Sequence, residues 1–94
     1  MQMIISIVHK GLRMFYEQGL GKKLSPGQLS KIRRIFDLLD AVTSEEDIKA
    51  LGYGVHKLKG AYTGFWALSV TGNYRIIFRF HAGDVYDVNY LDYH

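Results

Sequence analysis

The hydrophobic period of this chain changes once, at Gly52. Before it, apolar residues recur at spacings of three and four; after it they alternate with polar ones. Lys10–Gln18 carries Leu12, Phe15 and Tyr16 on one helical face, and Gly19 and Gly21 stop it. Ser25-Pro26-Gly27-Gln28 reads as a helix start, with Ser25 as cap, Pro26 in the first position and Gln28 completing a capping box. Leu29, Ile32, Ile35, Phe36 and Leu39 then form an apolar stripe, opposite Lys31, Arg33 and Arg34. Thr43-Ser44-Glu45-Glu46-Asp47 opens a third, shorter helical turn.

Beyond Gly52, the runs 65–70, 74–80 and 85–91 read as strands, separated by Thr71-Gly72-Asn73 and His81-Ala82-Gly83-Asp84. They predict a meander of antiparallel hairpins, to which 53–58 adds a further strand. Ile4-Ile5-Ser6-Ile7-Val8 is a β-branched run and predicts an N-terminal strand. The expected fold is α+β in a single domain over residues 1–94: an N-terminal strand and two to three helices on one face of a twisted antiparallel sheet. Alternation turns Tyr74, Ile76, Phe78, Phe80, Tyr86, Val88 and Tyr90 towards the helices. It leaves Arg75, Ile77, Arg79, Asp87, Asn89, Leu91 and Tyr93 on an open face.

A 94-residue chain that is 48% hydrophobic can bury a small core, which excludes a disordered or low-complexity segment. There is no cysteine, so neither a disulfide framework nor a thiolate metal site is expected. His9, His56, His81 and His94 lack metal-ligand spacing, and no phosphate-loop, dinucleotide or zinc-protease motif occurs. No cofactor is expected. The apolar run at the N-terminus is too short for a signal peptide or a membrane span, so the chain reads as cytoplasmic, with no membrane partner. Residues 1–34 hold seven Lys/Arg against one acid, a bias that suits a polyanion or, more plainly, a solvated helix face.

The acid–base groups gather near cations: His56 beside Lys57 and Lys59, Arg75 and Arg79 on the open face, and Asp92-Tyr93-His94 at the end. That kit suits attack of an RNA 2′-hydroxyl on its own neighbouring phosphate without a metal: one group takes the proton, cations hold the non-bridging oxygens, an acid protonates the leaving oxygen. Each element also has a plainer reading. His56 could be a satisfied histidine at a strand start, the arginines could pair with Asp87, 92–94 could be a frayed end, and Gly72-Asn73 is simply a turn.

The run GYGVHKLKGAYTGFWALSVTGNYRIIFRFHAGDVYDVNYLDYH, residues 52–94, resembles the C-terminal half of the HigB toxins, part of the RelE superfamily of type II toxin–antitoxin systems. The landmarks are G-Y-x-x-H-x-L-K-G, W-x-x-S-V-x-G-N-x-R-I-x-F-R-F and D-V-x-Y-x-D-Y-H; His9-Lys10-Gly11-Leu12 and Leu39-Asp40-Ala41 match upstream. The resemblance implies a RelE-like fold and a metal-independent endoribonuclease that cleaves mRNA in the ribosomal 30S A site. It implies neutralisation by a HigA-like helix-turn-helix antitoxin, with operator DNA bound only through that complex. By motif position, His56 is the implied base or acid, Lys59 and Arg75 phosphate-side cations, Asn73 a nucleotide contact, and Asp92, Tyr93 and His94 the C-terminal catalytic cluster. Lys22, Lys23, Lys31, Arg33, Arg34, Lys57 and Arg79 complete the expected RNA- and ribosome-binding set. The chain departs from the family at Gly54, Lys57 and Tyr74, where Arg, Pro and Trp are frequent. Two other readings stand beside it: a ParE-like gyrase inhibitor, which lacks the acid–base residues, and a non-catalytic ribosome- or RNA-binding module.

Overall fold

In a computed structural model, which describes residues 4–92, the chain forms three helices and then a four-stranded sheet. Helix α1 spans Lys10–Gln18. His9 caps it, the ring Nδ1 accepting from the Leu12 amide at 3.2 Å. Gly11 makes room for that cap, since a Cβ there would lie 2.9 Å from His9 Cε1. Gly19, at φ 73°, closes the helix in the left-handed region that glycine enters without penalty.

Helix α2 spans Leu29–Ala41, preceded by a single 3₁₀ turn at Pro26–Gln28. The expected capping box is not made. Ser25 forms no side-chain cap bond, and Gln28 Oε1 instead accepts from the Tyr90 hydroxyl. The tighter 3₁₀ turn supplies the entry to the helix, and the sheet claims the glutamine. Tyr16 donates to Asp40 Oδ1 at 2.7 Å and packs edge-on against Phe36, tying α1 to α2. Burial, then the Asp40 bond, raises the Tyr16 pKa and keeps the phenol a donor. Helix α3, Glu45–Lys49, has the expected cap: Ser44 accepts from the Asp47 amide, and the Asp47 carboxylate takes the Thr43 amide and hydroxyl. Those bonds hold the Asp47 carboxyl below its usual range.

Strands β1 (His56–Lys57), β2 (Phe65–Ser69), β3 (Tyr74–His81) and β4 (Asp84–Asp92) pair antiparallel in that order. The meander is as expected, and β1 is the short extra strand. Alternation nevertheless loses phase in β4. Ile77 pairs with Asn89 and Arg79 with Tyr86, so Phe78 alone opposes both Asp87 and Val88. This is a β-bulge, with Asp87 at φ 52°. Tyr86, expected to face the helices, therefore stands beside Arg79 on the open face, and Val85 turns inward.

The bulge also shapes the N-terminal segment. Val85 and Val88 both point into the core three residues apart, and segment 4–8 matches that interval by burying Ile4 and Ile7. It runs parallel to β4 through two isolated bridges, Ile4 to Val85 and Ile7 to Val88, rather than as the regular strand expected. Ser6 fills the bulge: its Oγ accepts the Asp87 amide at 2.8 Å and donates to Asp87 Oδ1 at 3.1 Å.

One apolar cluster joins Leu12, Phe15, Ile32, Ile35, Phe36, Leu39 and Ile48 to Trp66, Leu68, Ile76, Phe78, Val85 and Val88. Its sheet members share one face, so the helices cover that face only. Ala67 and Ile77, on the other face, are also about 1% exposed. Ile77 was expected to be wet; it lies on an inner strand, with neighbours on both sides and in both adjoining rows.

Candidate active site

Register lines up the open face in rows, because directly paired residues share a face. The middle row is His56, Ala67, Ile77 and Asn89. On one side lies Ser69, Arg75 and Leu91; on the other, Phe65, Arg79 and Tyr86. Successive rows are about 7 Å apart along the strands. The fold thus brings His56, Arg75 and Arg79 to one surface from residues as much as 23 positions apart.

His56 is presented by an unusual backbone run. Gly52, Tyr53 and Gly54 stand at φ 83°, 57° and 65°, and the Tyr53 carbonyl accepts from Ser69 N at 2.7 Å. Tyr53 is not a glycine, so this loop holds strain next to the histidine. His56 Nδ1 lies 2.9 Å from the Gly54 carbonyl. A carbonyl only accepts, so Nδ1 carries the hydrogen and the neutral ring offers its lone pair at Nε2. The side chain is exposed.

Arg75 is half-buried and clamps the β2–β3 turn. Its Nη1 donates to the carbonyls of Thr71 at 2.8 Å and of Gly72 and Tyr74 at 3.3 Å. Thr71 Oγ1 in turn accepts from the amides of Asn73 and Tyr74. Asn73 is thereby held exposed at the tip of the hairpin. The sequence marks Thr71 only as part of the turn; its hydroxyl role is the added finding, although a threonine two residues before an asparagine in a turn is a recognised hydroxyl–backbone motif. Asp92 pairs in register with Tyr74 at this same end of the sheet. Tyr93 and His94, the rest of the expected C-terminal cluster, lie outside the described residues.

Lys57 stands on the opposite face from His56. Its Nζ is 3.5 Å from Glu45 Oε1 and 5.1 Å from the centre of the Trp66 ring, where it links α3 to the sheet edge. Lys59 follows β1, exposed, at the entry to a 3₁₀ turn. Lys22, Lys23, Lys31, Arg33 and Arg34 are all exposed, but they do not form one stripe. Lys31 reaches over the Tyr53 ring and Arg33 over Phe15, on two flanks of α2, because residues two apart on a helix point in different directions.

Behind the open face, a second polar group fills the gap between α1 and β4. Tyr90 stacks on Tyr74, meets the His9 ring edge-on and donates to Gln28. Burial pushes its phenol up to about 12, with Tyr74 and Asp92 adding to the effect. Burial lowers the His9 pKa, which keeps the ring neutral as a cap. Among the described residues, no group of three or more His, Asp or Glu is placed to hold a metal ion, and no helix is long and apolar enough to cross a membrane.

This arrangement of helices on one face of a meander, with a polar open face, is the fold of a known toxin class. The solved YoeB/ParE toxin from Agrobacterium tumefaciens matches it with a TM-score of 0.61, over 100% of this chain and 99% of its own, at 15% identity. The chain belongs to the HigB family: the sequence profile of the RelE-like toxin of type II toxin–antitoxin system HigB matches residues 5–94. It is also 36% identical, over 92 residues, to Endoribonuclease HigB of Proteus vulgaris, covering 98% of this chain and 100% of that protein. The expected family and RelE-like α+β fold are both borne out.

Proposed function

We propose that this toxin is a ribosome-dependent mRNA endonuclease that cleaves in the 30S A site and arrests translation. The observation that carries the reading is His56, held by Nδ1 on the Gly54 carbonyl and offering Nε2 on the same face as Arg75. The endoribonuclease named among its relatives supports the same chemistry.

Nε2 of His56 takes the proton of the RNA 2′-hydroxyl, and the oxygen attacks the adjacent phosphorus. Arg75 and Lys59 stabilise the extra charge on the non-bridging oxygens. The bond to the 5′-oxygen breaks, and the cluster Asp92, Tyr93 and His94 supplies the proton to that leaving group. The products are a 2′,3′-cyclic phosphate and a 5′-hydroxyl, and no step calls for a metal. Asn73, at the hairpin tip, contacts a nucleotide. The basic residues of α2 and the loop before it, with Lys57, face ribosomal RNA. A HigA-type helix-turn-helix antitoxin neutralises the toxin and carries the complex to operator DNA.

The test is cleavage on programmed ribosomes with mRNA bearing a single 2′-deoxy nucleotide at the cut position. The expected result is no cut there and a cyclic phosphate on the ribose control. Undiminished cutting of the deoxy substrate overturns the mechanism. Equal cutting of free mRNA removes the ribosome from it, and intact mRNA with broken chromosomal DNA after induction places the toxin with gyrase poisons.

A further inference from the structure

The open face ends in a cleft of about 360 Å³, lined by Gly64, Arg79, Phe80, His81, Tyr86 and Asp87. It belongs to the row adjoining His56, about 7 Å along the sheet and on the side away from Arg75. We propose that this cleft is a nucleobase subsite, taking a guanine of the RNA strand that crosses the open face; the proposal rests on the endonuclease reading above.

The cleft is built by the β4 bulge. Without the extra residue at Asp87, Tyr86 would point into the core, and the cleft would lose the ring that β4 places beside Arg79, across from Phe65. Asp87 holds φ 52°, a conformation that costs a non-glycine residue free energy, and Ser6 bonds both its amide and its carboxylate. Bulges of this kind re-aim side chains beside functional sites.

Arg79 and Asp87 are the recognition pair. The guanidinium sits 5.9 Å from the Phe65 ring centre and 3.6 Å from Asp87 Oδ2, too long for a hydrogen bond. Among the described residues the Arg79 side chain donates no hydrogen bond, so beyond its ion pair with Asp87 the planar donor set is positioned but unspent. Oδ2 likewise keeps accepting capacity, because Ser6 occupies Oδ1.

A carboxylate this close makes Arg79 a poor phosphate anchor, since it would repel the phosphate charge. The edge of a base has no such conflict. Guanine presents O6 and N7 as an acceptor pair for a guanidinium, and the N–H groups of N1 and N2 for a carboxylate. Adenine offers a single acceptor beside a single amine along one edge, and uracil has no amine. The Tyr86 ring adds a stacking surface of the kind that holds unpaired RNA bases. The volume suits one small ligand.

The test reads binding apart from cleavage. The intact chain is titrated with 5′-GMP, AMP, CMP and UMP while backbone amides are followed by NMR. GMP is expected to shift the amides of Gly64 and of 79–87, with an affinity about tenfold above the other three. Asp87→Asn should abolish that advantage while keeping the wild-type melting temperature, because asparagine adopts positive φ at least as readily. On programmed ribosomes, the same variant should lower cutting beside guanine, relative to the same site carrying adenine, by about tenfold. Equal affinity for all four nucleotides, or shifts confined to α2, overturns the subsite. So does protection of these amides by the antitoxin with no response to GMP, which makes the cleft a protein contact. A chain that binds GMP here but cuts no mRNA overturns the nuclease reading and leaves the subsite standing.

Discussion

At the scale of single residues, the side chains nominated for chemistry divide by what else holds them. His56 is oriented by one backbone carbonyl, so His56→Gln leaves the fold intact. Arg75 has two tasks, because the guanidinium expected on phosphate also clamps three carbonyls of the 71–74 turn. Arg75→Ala is therefore expected to cost about 1–2 kcal/mol of stability, more than an ordinary surface arginine. Activity should fall on the order of 10²-fold or more, measured as cleavage per folded molecule. Arg75→Lys separates the tasks: it keeps the charge but loses the forked clamp, so it should recover part of the activity and little of the stability. A variant that melts lower yet cuts at the wild-type rate makes Arg75 structural.

At the scale of elements, α1 depends on a histidine for its first turn. The cap needs Nδ1 of His9 unprotonated, and burial lowers the pKa of that ring. In the interval below 6.5 the unfolded chain binds the proton and the folded chain resists it. His9 thus contributes stability that is fully present above pH 6.5 and is lost as pH falls through its lowered value. Asp47 acts in the same direction, but only below its ordinary value of 3.8. His9→Asn keeps a capping acceptor without the titration. Melting curves at pH 7.5, 6.5 and 5.5 should show the wild type losing midpoint relative to His9→Asn as pH falls; parallel curves would refute the cap. Gly11 belongs to the same device. In most helices Gly→Ala stabilises, but here the new Cβ meets the His9 ring at 2.9 Å and Lys23 Cβ at 3.0 Å. Gly11→Ala should destabilise by about 1 kcal/mol or more in a urea melt, and the His9→Asn background should relieve part of it.

At the scale of the whole molecule, charge is distributed around the fold rather than banded. The basic residues of the first 34 positions stay exposed, but Lys31 and Arg33 lean to opposite flanks of α2. A ribosomal RNA surface would meet them at separate places. Reversing Lys22, Lys23 and Arg34 to glutamate is expected to weaken ribosome binding and make its dependence on salt shallower, by about one unit of slope for each phosphate no longer neutralised. Sedimentation with ribosomes at several salt concentrations measures both. An unchanged slope would leave these residues as a solvated face.

The sequence by itself determined the order of elements, the α1 boundaries, the start of α3, the hairpin meander and the family. Each follows from signals spanning a few residues: hydrophobic period, glycine stops, a serine cap, turn glycines, and motifs such as the one around His56. It also nominated His56, Arg75 and Asp92 for one site. Tertiary structure decided what depended on distant partners. Gln28 left its capping box because Tyr90 lies against it, 62 positions away. Ser6, polar in an apolar run, made sense only once it filled a bulge 81 positions away. That bulge moved Tyr86 to the open face and reduced segment 4–8 to two bridges, and no alternation pattern announces where an extra residue enters a strand. Local periods specify which way a side chain points within its own element, whereas phase shifts and borrowed hydrogen bonds arise from packing between elements.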